Sequence, residues 1–486
     1  MSSNLSATNR VHQVLPIKGS WINLYYQDER NKYTNPENMD NTDPEMWKQK
    51  VRDMHNLGVE YVVFMAVSND GKADYPSNII PRGYNNAKTS PVTAIMQEAD
   101  SLGMNVFMSI GWAQNQDDNI RDKKILNRQL SIMSELAEIY KDYESFYGWY
   151  LPVEDCLGPV LSDHAVKAVN SLVDRAHKIT PNKKTMISPY GIYNSDFGNP
   201  EYAKQISKLR VDIINYQDEV GCVREDFPMS RLKDNWLKLK KIHEKNGIEM
   251  WANCELFTWE KGLNSRESAL IPASMPRVIS QFAAATKAGA KCITSFMVNG
   301  IWDSNSSNYW LGQPHWSKVA ASDYISWKNS EGKWPYLEAS FMNNLYGGVS
   351  LTEIMTNGNE SLFDGMIGEE NPSDKSWKMF KKGNNEVLIK FNKNINIERI
   401  FIRMLDCNKR GIKLPEKIYI YMSKDGKNYD LKGVQDSQQF ENDLHDTWVD
   451  GMLFDCNYTD VRSMKIILDC KHDAMLDEVF INPAIK

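Results

Sequence analysis

Hydrophobic residues fall into two alternating patterns between Ser20 and Val298. One is a short run, apolar at most positions and bounded by polar or turn residues: Ser20–Tyr26, Glu60–Val67, Asn105–Gly111, Phe146–Pro152, Thr185–Pro189, Val211–Tyr216, Glu249–Cys254 and Cys292–Val298. Runs of this kind predict strands buried on both faces. The other is a longer segment with apolar residues three and four apart: Asp43–Gly58, Ser90–Gly103, Asp122–Tyr143, Ser162–Ile179, Pro200–Lys208, Pro228–Gly247 and Pro272–Gly289. That is the spacing of an amphipathic helix. A mixed stretch around Trp316–Asn344 ends the series with a covering helix. Boundaries carry their own signals. Asp43-Pro44 places an N-cap before a proline at the first helical position, and Gly58 supplies the stop.

Eight such alternations predict an α/β fold, a (β/α)8 TIM barrel, rather than a doubly wound sheet. The latter would be expected to carry a Gly-rich phosphate loop after its first strand, and SWINLYYQDER has none. From Leu362 onward the helical spacing stops. Short β-runs take over at Glu386–Phe391, Glu398–Met404, Lys417–Met422 and Met464–Leu468, with Asn, Gly and Asp turns between them. They predict a C-terminal β-sandwich. The expected division is a barrel domain over 1–350 and a sandwich over 351–486.

Composition narrows the partners. The net charge of −6 argues against nucleic acid, which selects basic faces. No run of about 18 apolar residues exists to span a membrane. The start, MSSNLSATNR, lacks the apolar core of a signal peptide, which leaves a cytoplasmic protein or one whose leader has been removed. Seven cysteines, none in a CxxC pair, read as buried small hydrophobes rather than a disulfide framework. Neither HExxH, GxSxG nor GxxxxGK occurs, so a catalytic metal, a serine-hydrolase elbow and a nucleotide loop have no support. The 14 Trp and 22 Tyr are enough both to fill a core and to stack on sugar rings.

In a barrel the C-terminal strand ends share one mouth. Read strand by strand, that mouth gathers Trp21, Trp112, Glu154, Tyr190, Tyr216, Asp218, Glu219, Asn253, Glu255, Trp259, Asn299, Trp302 and Asp303. A lone strand-end glutamate more often caps a helix or pairs with a base than does chemistry. Two of them, Glu154 after the fourth strand and Glu255 on the seventh, are expected to be able to face each other across an eight-stranded barrel. Paired carboxylates of this kind suit glycosidic cleavage, in which one donates a proton to the leaving oxygen and the other attacks the anomeric carbon.

GWYLPVE and WANCELF, at the fourth and seventh strands, resemble the layout of the clan A retaining glycoside hydrolases. They are also similar to a poorly characterised family of bacterial barrel proteins associated with glycan degradation, over about residues 17–340. The resemblance implies Glu154 as acid/base and Glu255 as nucleophile, with Tyr216 bonded to the nucleophile and Trp302 flooring the sugar site. It implies a carbohydrate substrate, no cofactor for catalysis and an extracytoplasmic location. Most clan members place asparagine just before the fourth-strand glutamate to hold the sugar 2-hydroxyl; here that residue is Val153. Further on, SLFDGMIGE and IKLPEKIYIYMSKDGKNY resemble a discoidin-like domain, a galactose-binding-like jelly roll. Such domains often bind glycans, and some hold a structural calcium. The alternative expectation is a glycan-binding protein on the same scaffold without a working carboxylate pair.

Overall fold

The computed structural model describes residues 14–24, 43–69, 71–84, 89–111, 122–153, 157–222, 229–259, 270–273, 275–303, 314–329, 351–355, 362–363, 371–436 and 447–481. Eight strands close into a parallel barrel: β1 (Ile17–Ile22), β2 (Tyr61–Phe64), β3 (Asn105–Ser109), β4 (Phe146–Tyr150), β5 (Lys184–Ile187), β6 (Ile213–Gln217), β7 (Glu249–Glu255) and β8 (Ile293–Phe296). Each pairs with its sequence neighbour, and β8 pairs with β1 to complete the cylinder.

The helices are α1 (Pro44–Leu57), α2 (Pro91–Ser101), α3 (Lys123–Tyr140), α4 (Asp163–Ile179), α5 (Pro200–Lys208), α6 (Met229–Asn246), α7 (Met275–Lys287) and α8 (Pro314–Asn329). Their ends follow the expected chemistry. The Asp43 carboxylate accepts the Glu45 N–H, Ser90 and Ser162 cap α2 and α4, and Gly58 ends α1 at φ 90°. The last helical expectation, Trp316–Asn344, is described only to Asn329. Near α7 the expected start at Pro272 is displaced. Leu270–Pro272 instead pairs antiparallel with Phe257–Trp259, so the helix begins at Met275.

Alternate residues of each strand face the axis. Trp21, Val63, Phe107, Tyr150, Met186, Ile213, Trp251 and Cys292 form one buried cluster inside the barrel. Their neighbours, among them Ile22, Val62, Val106, Trp149, Ile214, Tyr216, Ala252, Cys254 and Ile293, belong to the layer shared with the helices. Near the strand starts Tyr61, Phe107, Tyr147 and Trp251 pack against one another, with centroids 5.1–6.2 Å apart. This aromatic plug fills the lower barrel. By the same alternation the inward positions nearest the ends of β1, β3, β5, β6 and β7 are polar, Asn23, Ser109, Ser188, Gln217, Asn253 and Glu255, whereas β2 and β8 present Met65 and Phe296.

Beyond the barrel, β9 (Leu351–Met355), β10 (Lys378–Phe380), β11 (Gly383–Asp406), β12 (Lys417–Ser423), β13 (Asp430–Asp436), β14 (Trp448–Cys470) and β15 (Ala474–Ile481) form an antiparallel sheet. Its order is β10-β15-β11-β14-β12-β13, with β9 beside β11. The two strands expected at Glu386–Phe391 and Glu398–Met404 are one strand, β11. Its register against β14 is regular from Gly383 to Lys390 and again from Arg399 to Asp406, with shifts between. These shifts let one strand serve two wings: β9 pairs with the first stretch and β15 with the second. Val387, Ile389, Ile400, Ile402, Ile418, Ile420, Ile466 and Leu468 are buried in a single core. No helix among the described residues is long and apolar enough to cross a membrane.

Candidate active site

Glu255 ends β7 on the inward face, above Asn253 and Trp251, and is buried at 7 % exposure. The turn after β6 holds it. Cys222 donates its N–H to Glu255 Oε2 at 2.7 Å, a bond that orients the carboxylate. The Glu255 N–H donates to Asp218 Oδ1 at 3.1 Å. Gln281, on α7, donates its side-chain amide to Asp218 Oδ2 at 2.6 Å and to the Glu255 carbonyl at 3.1 Å. Gly221 is required by the closeness of this packing: a Cβ there would lie 2.5 Å from the Phe257 carbonyl and 3.0 Å from Glu255 Oε2. Asp218 is therefore a brace for the Glu255 backbone rather than a group presented to substrate.

Glu219, the next residue, has a left-handed backbone at φ 55°. Its Oε2 accepts the N–H groups of Gly191 and Ile192, both at 2.7 Å, across the gap between the β5 and β6 loops. Burial pushes its carboxyl up to about 7, against the lowering effect of those backbone bonds. The folded chain thus binds that proton more tightly than the unfolded chain. The associated stability is full below pH 4.5 and is lost as pH rises to about 7. At ~1.4 kcal/mol per pH unit the loss is at most about 3 kcal/mol. Glu219→Gln is expected to remove this slope, so the variant gains on the wild type across that window. Parallel denaturation midpoints of the two proteins from pH 4.5 to about 7 would show the carboxyl to be unperturbed.

Among the described residues, several buried polar atoms have no hydrogen-bond partner: Trp21 Nε1, Ser188 Oγ and Asn253 Oδ1 at inward positions, and both side-chain polar atoms of Asn299 in the turn after β8. Trp21 rests edge-on against Tyr150 at 4.6 Å. Tyr190, 39 % exposed, stands at the rim after β5. Ser188 was not foreseen, nor were Gln281, Cys222 and Gly221. Gln281 had a legible signal, as a polar residue in the buried stripe Val278, Gln281, Phe282, Ala285.

The structure corrects three expectations. Tyr216 points to the helix side of β6, where its hydroxyl contacts Tyr202 at 2.7 Å and His243 Nε2 at 2.9 Å; it does not reach Glu255. Trp302 is fully buried in the helix layer, 4.8 Å from the Tyr324 ring, and floors no sugar site. Asp303 is engaged by Lys50 at 2.7 and 2.9 Å. Tyr216 left the mouth because a strand apolar on both faces carries no period-two signal to say which side turns inward, and Trp302 because it lies in the turn after β8, where no period applies. Glu154 and Trp112 lie outside the described residues. Trp259 pairs with Leu270 through its backbone, and its side chain is likewise outside the description.

The chain is similar in fold to a solved bacterial structure. A Bacteroides thetaiotaomicron protein proposed to be an alpha-L-fucosidase superposes with a TM-score of 0.52 at 17% identity, over 68% of this chain and 98% of that one. A glycoside hydrolase family 5 protein from Bacteroides vulgatus gives 0.42 at 12% identity, over 92% and 88%. No curated protein matches by sequence at a significant level. Residues 17–309, more than half of the chain, match the family described as Domain of unknown function (DUF4434), and the chain belongs to that family.

Proposed function

We propose that this protein is a retaining glycoside hydrolase with Glu255 as nucleophile and Glu154 as acid/base. The observation that carries this reading is Glu255 itself. It is an inward, buried carboxylate at the end of β7, pinned by the Cys222 N–H and the Asp218 brace, beside strand ends whose buried polar atoms have no partner among the described residues. A buried polar atom without a partner costs roughly 1–3 kcal/mol. The set offers a donor at Trp21, an acceptor at Asn253 and both at Ser188 and Asn299. A ring bearing several hydroxyls matches such a set, since each hydroxyl both donates and accepts.

In the cycle Glu154 protonates the glycosidic oxygen while Glu255 attacks the anomeric carbon. Glu154 then removes a proton from the water that releases the sugar. This needs the carboxyl groups about 5–5.5 Å apart and no cofactor. Trp112, Tyr190 and Trp259 are the aromatic platforms in this reading. Residues 351–486 are an ancillary galactose-binding-like sandwich of discoidin type, with a structural calcium as one of its options; the two-winged antiparallel sheet around one core supports the sandwich. We place the protein outside the cytoplasm, with the glycans it would cut.

A screen on aryl glycosides and polysaccharides tests this, with the anomer of the first product read by NMR. Retention is expected. An inverted product would remove Glu255 as nucleophile. Glycan binding without turnover of any substrate would leave the barrel a glycan-binding protein.

A further inference from the structure

The turn after β6 touches both halves of the mouth. On one side Cys222 and Asp218 hold Glu255. On the other, Glu219 takes the Gly191 and Ile192 N–H groups and so fixes the turn that follows Tyr190. That turn is stitched to the chain returning from Glu154. The Leu157 N–H donates to the Tyr190 carbonyl at 2.7 Å, and the Asp196 N–H donates to the Pro159 carbonyl at 2.8 Å. Gly158 packs so closely on Asn194 that a Cβ would lie 2.5 Å from its Oδ1. Behind the turn, Asn235 on α6 donates to the Ile192 carbonyl at 2.9 Å.

We propose that Glu219 is a positioning residue: it clamps the β5 loop to the β6 turn and thereby keeps the chain at 157–159, beyond the end of β4, in register with the turn that holds Glu255. This rests on the hydrolase reading for its consequence in catalysis, but the clamp itself does not. Sequence alone placed Glu219 only among the residues gathered at the barrel mouth. Its side chain is spent on backbone N–H groups and is 5 % exposed. A carboxylate shared between two loops is a point of reference, because one oxygen fixes both donors. Positioning errors of about 1 Å can cost around 100-fold in rate.

Two mild substitutions separate reach from charge. Glu219→Gln keeps an acceptor oxygen at full reach. Glu219→Asp keeps the charge but withdraws it by one methylene, about 1.5 Å. Amide hydrogen exchange at Leu157, Gly191 and Ile192 is read first, in the full chain. In Glu219→Asp all three are expected to exchange faster, while the β6 and β7 amides stay protected; in Glu219→Gln the change is smaller. If Leu157 keeps its protection while Gly191 and Ile192 lose theirs, the clamp does not reach the chain beyond β4 and the proposal fails. With a substrate in hand, Glu219→Asp is expected to lower kcat about tenfold or more with KM within about twofold, and to lose more than Glu219→Gln. The reverse order would make charge, not position, the role of Glu219. A wild type that cleaves no glycan would overturn the hydrolase reading and leave the exchange result standing by itself.

Discussion

Glu255→Gln is expected to lower kcat by about four orders of magnitude while glycan affinity changes by less than about threefold. The amide has the shape of the carboxylate and an oxygen that can still take the Cys222 N–H, so the Asp218 and Gln281 brace has no reason to collapse. What disappears is the negative charge that attacks the anomeric carbon. The partner substitution, Glu154→Gln, should abolish cleavage of unactivated glycans and leave their binding intact. Aryl glycosides with acidic phenols as leaving groups need no proton at departure, so they should lose much less in Glu154→Gln and as much as any substrate in Glu255→Gln. Turnover and equilibrium binding on one glycan and one activated glycoside are sufficient. Wild-type-like turnover in either variant would reject the role given to that residue.

The barrel was legible because its signals are local and repeated. Asp43-Pro44 and Gly58 bound α1 where the sequence placed them, and the eight apolar runs became eight parallel strands. Glu255 was legible for a different reason: WANCE alternates, so once Trp251 faces inward Asn253 and Glu255 must follow it. Tyr216 and Trp302 were not. Ile213, Ile214 and Tyr216 are all apolar, and only the closed barrel decides that the first faces the axis and the other two face the helices. Trp302 follows β8 in a turn, where no period applies. The braces were illegible because they are tertiary: Gln281 and Asp218 meet across 63 positions of chain, and Glu219 meets Gly191 across 28. In the second unit the apolar runs were found but not their continuity, since the register shifts that join them into β11 depend on the partner strand.

Lys50→Met is expected to destabilise the barrel by about 3–5 kcal/mol, the cost of removing one member of a buried ion pair. Lys50 sits on the inner face of α1 at 2 % exposure, and its Nζ reaches both oxygens of Asp303 at 2.7 and 2.9 Å. Asp53, one turn along α1, stands 3.7 Å from the same Nζ, with its other oxygen taking the Gln49 amide at 3.0 Å. One cation therefore answers two buried acids and ties α1 to the turn after β8. Methionine matches the stem of lysine in volume, so little packing is lost and the effect isolates the charge. For a unit of this size the shift corresponds to roughly 4–7 °C in Tm. Lys50→Met with Asp303→Leu should recover much of that loss, because replacing a buried ion pair by apolar side chains is often neutral or stabilising. Thermal unfolding of the two single variants and the double variant gives the coupling directly. Additive losses would mean that the pair, though close, contributes no shared energy, and that the turn carrying Asn299 is held in place by other contacts.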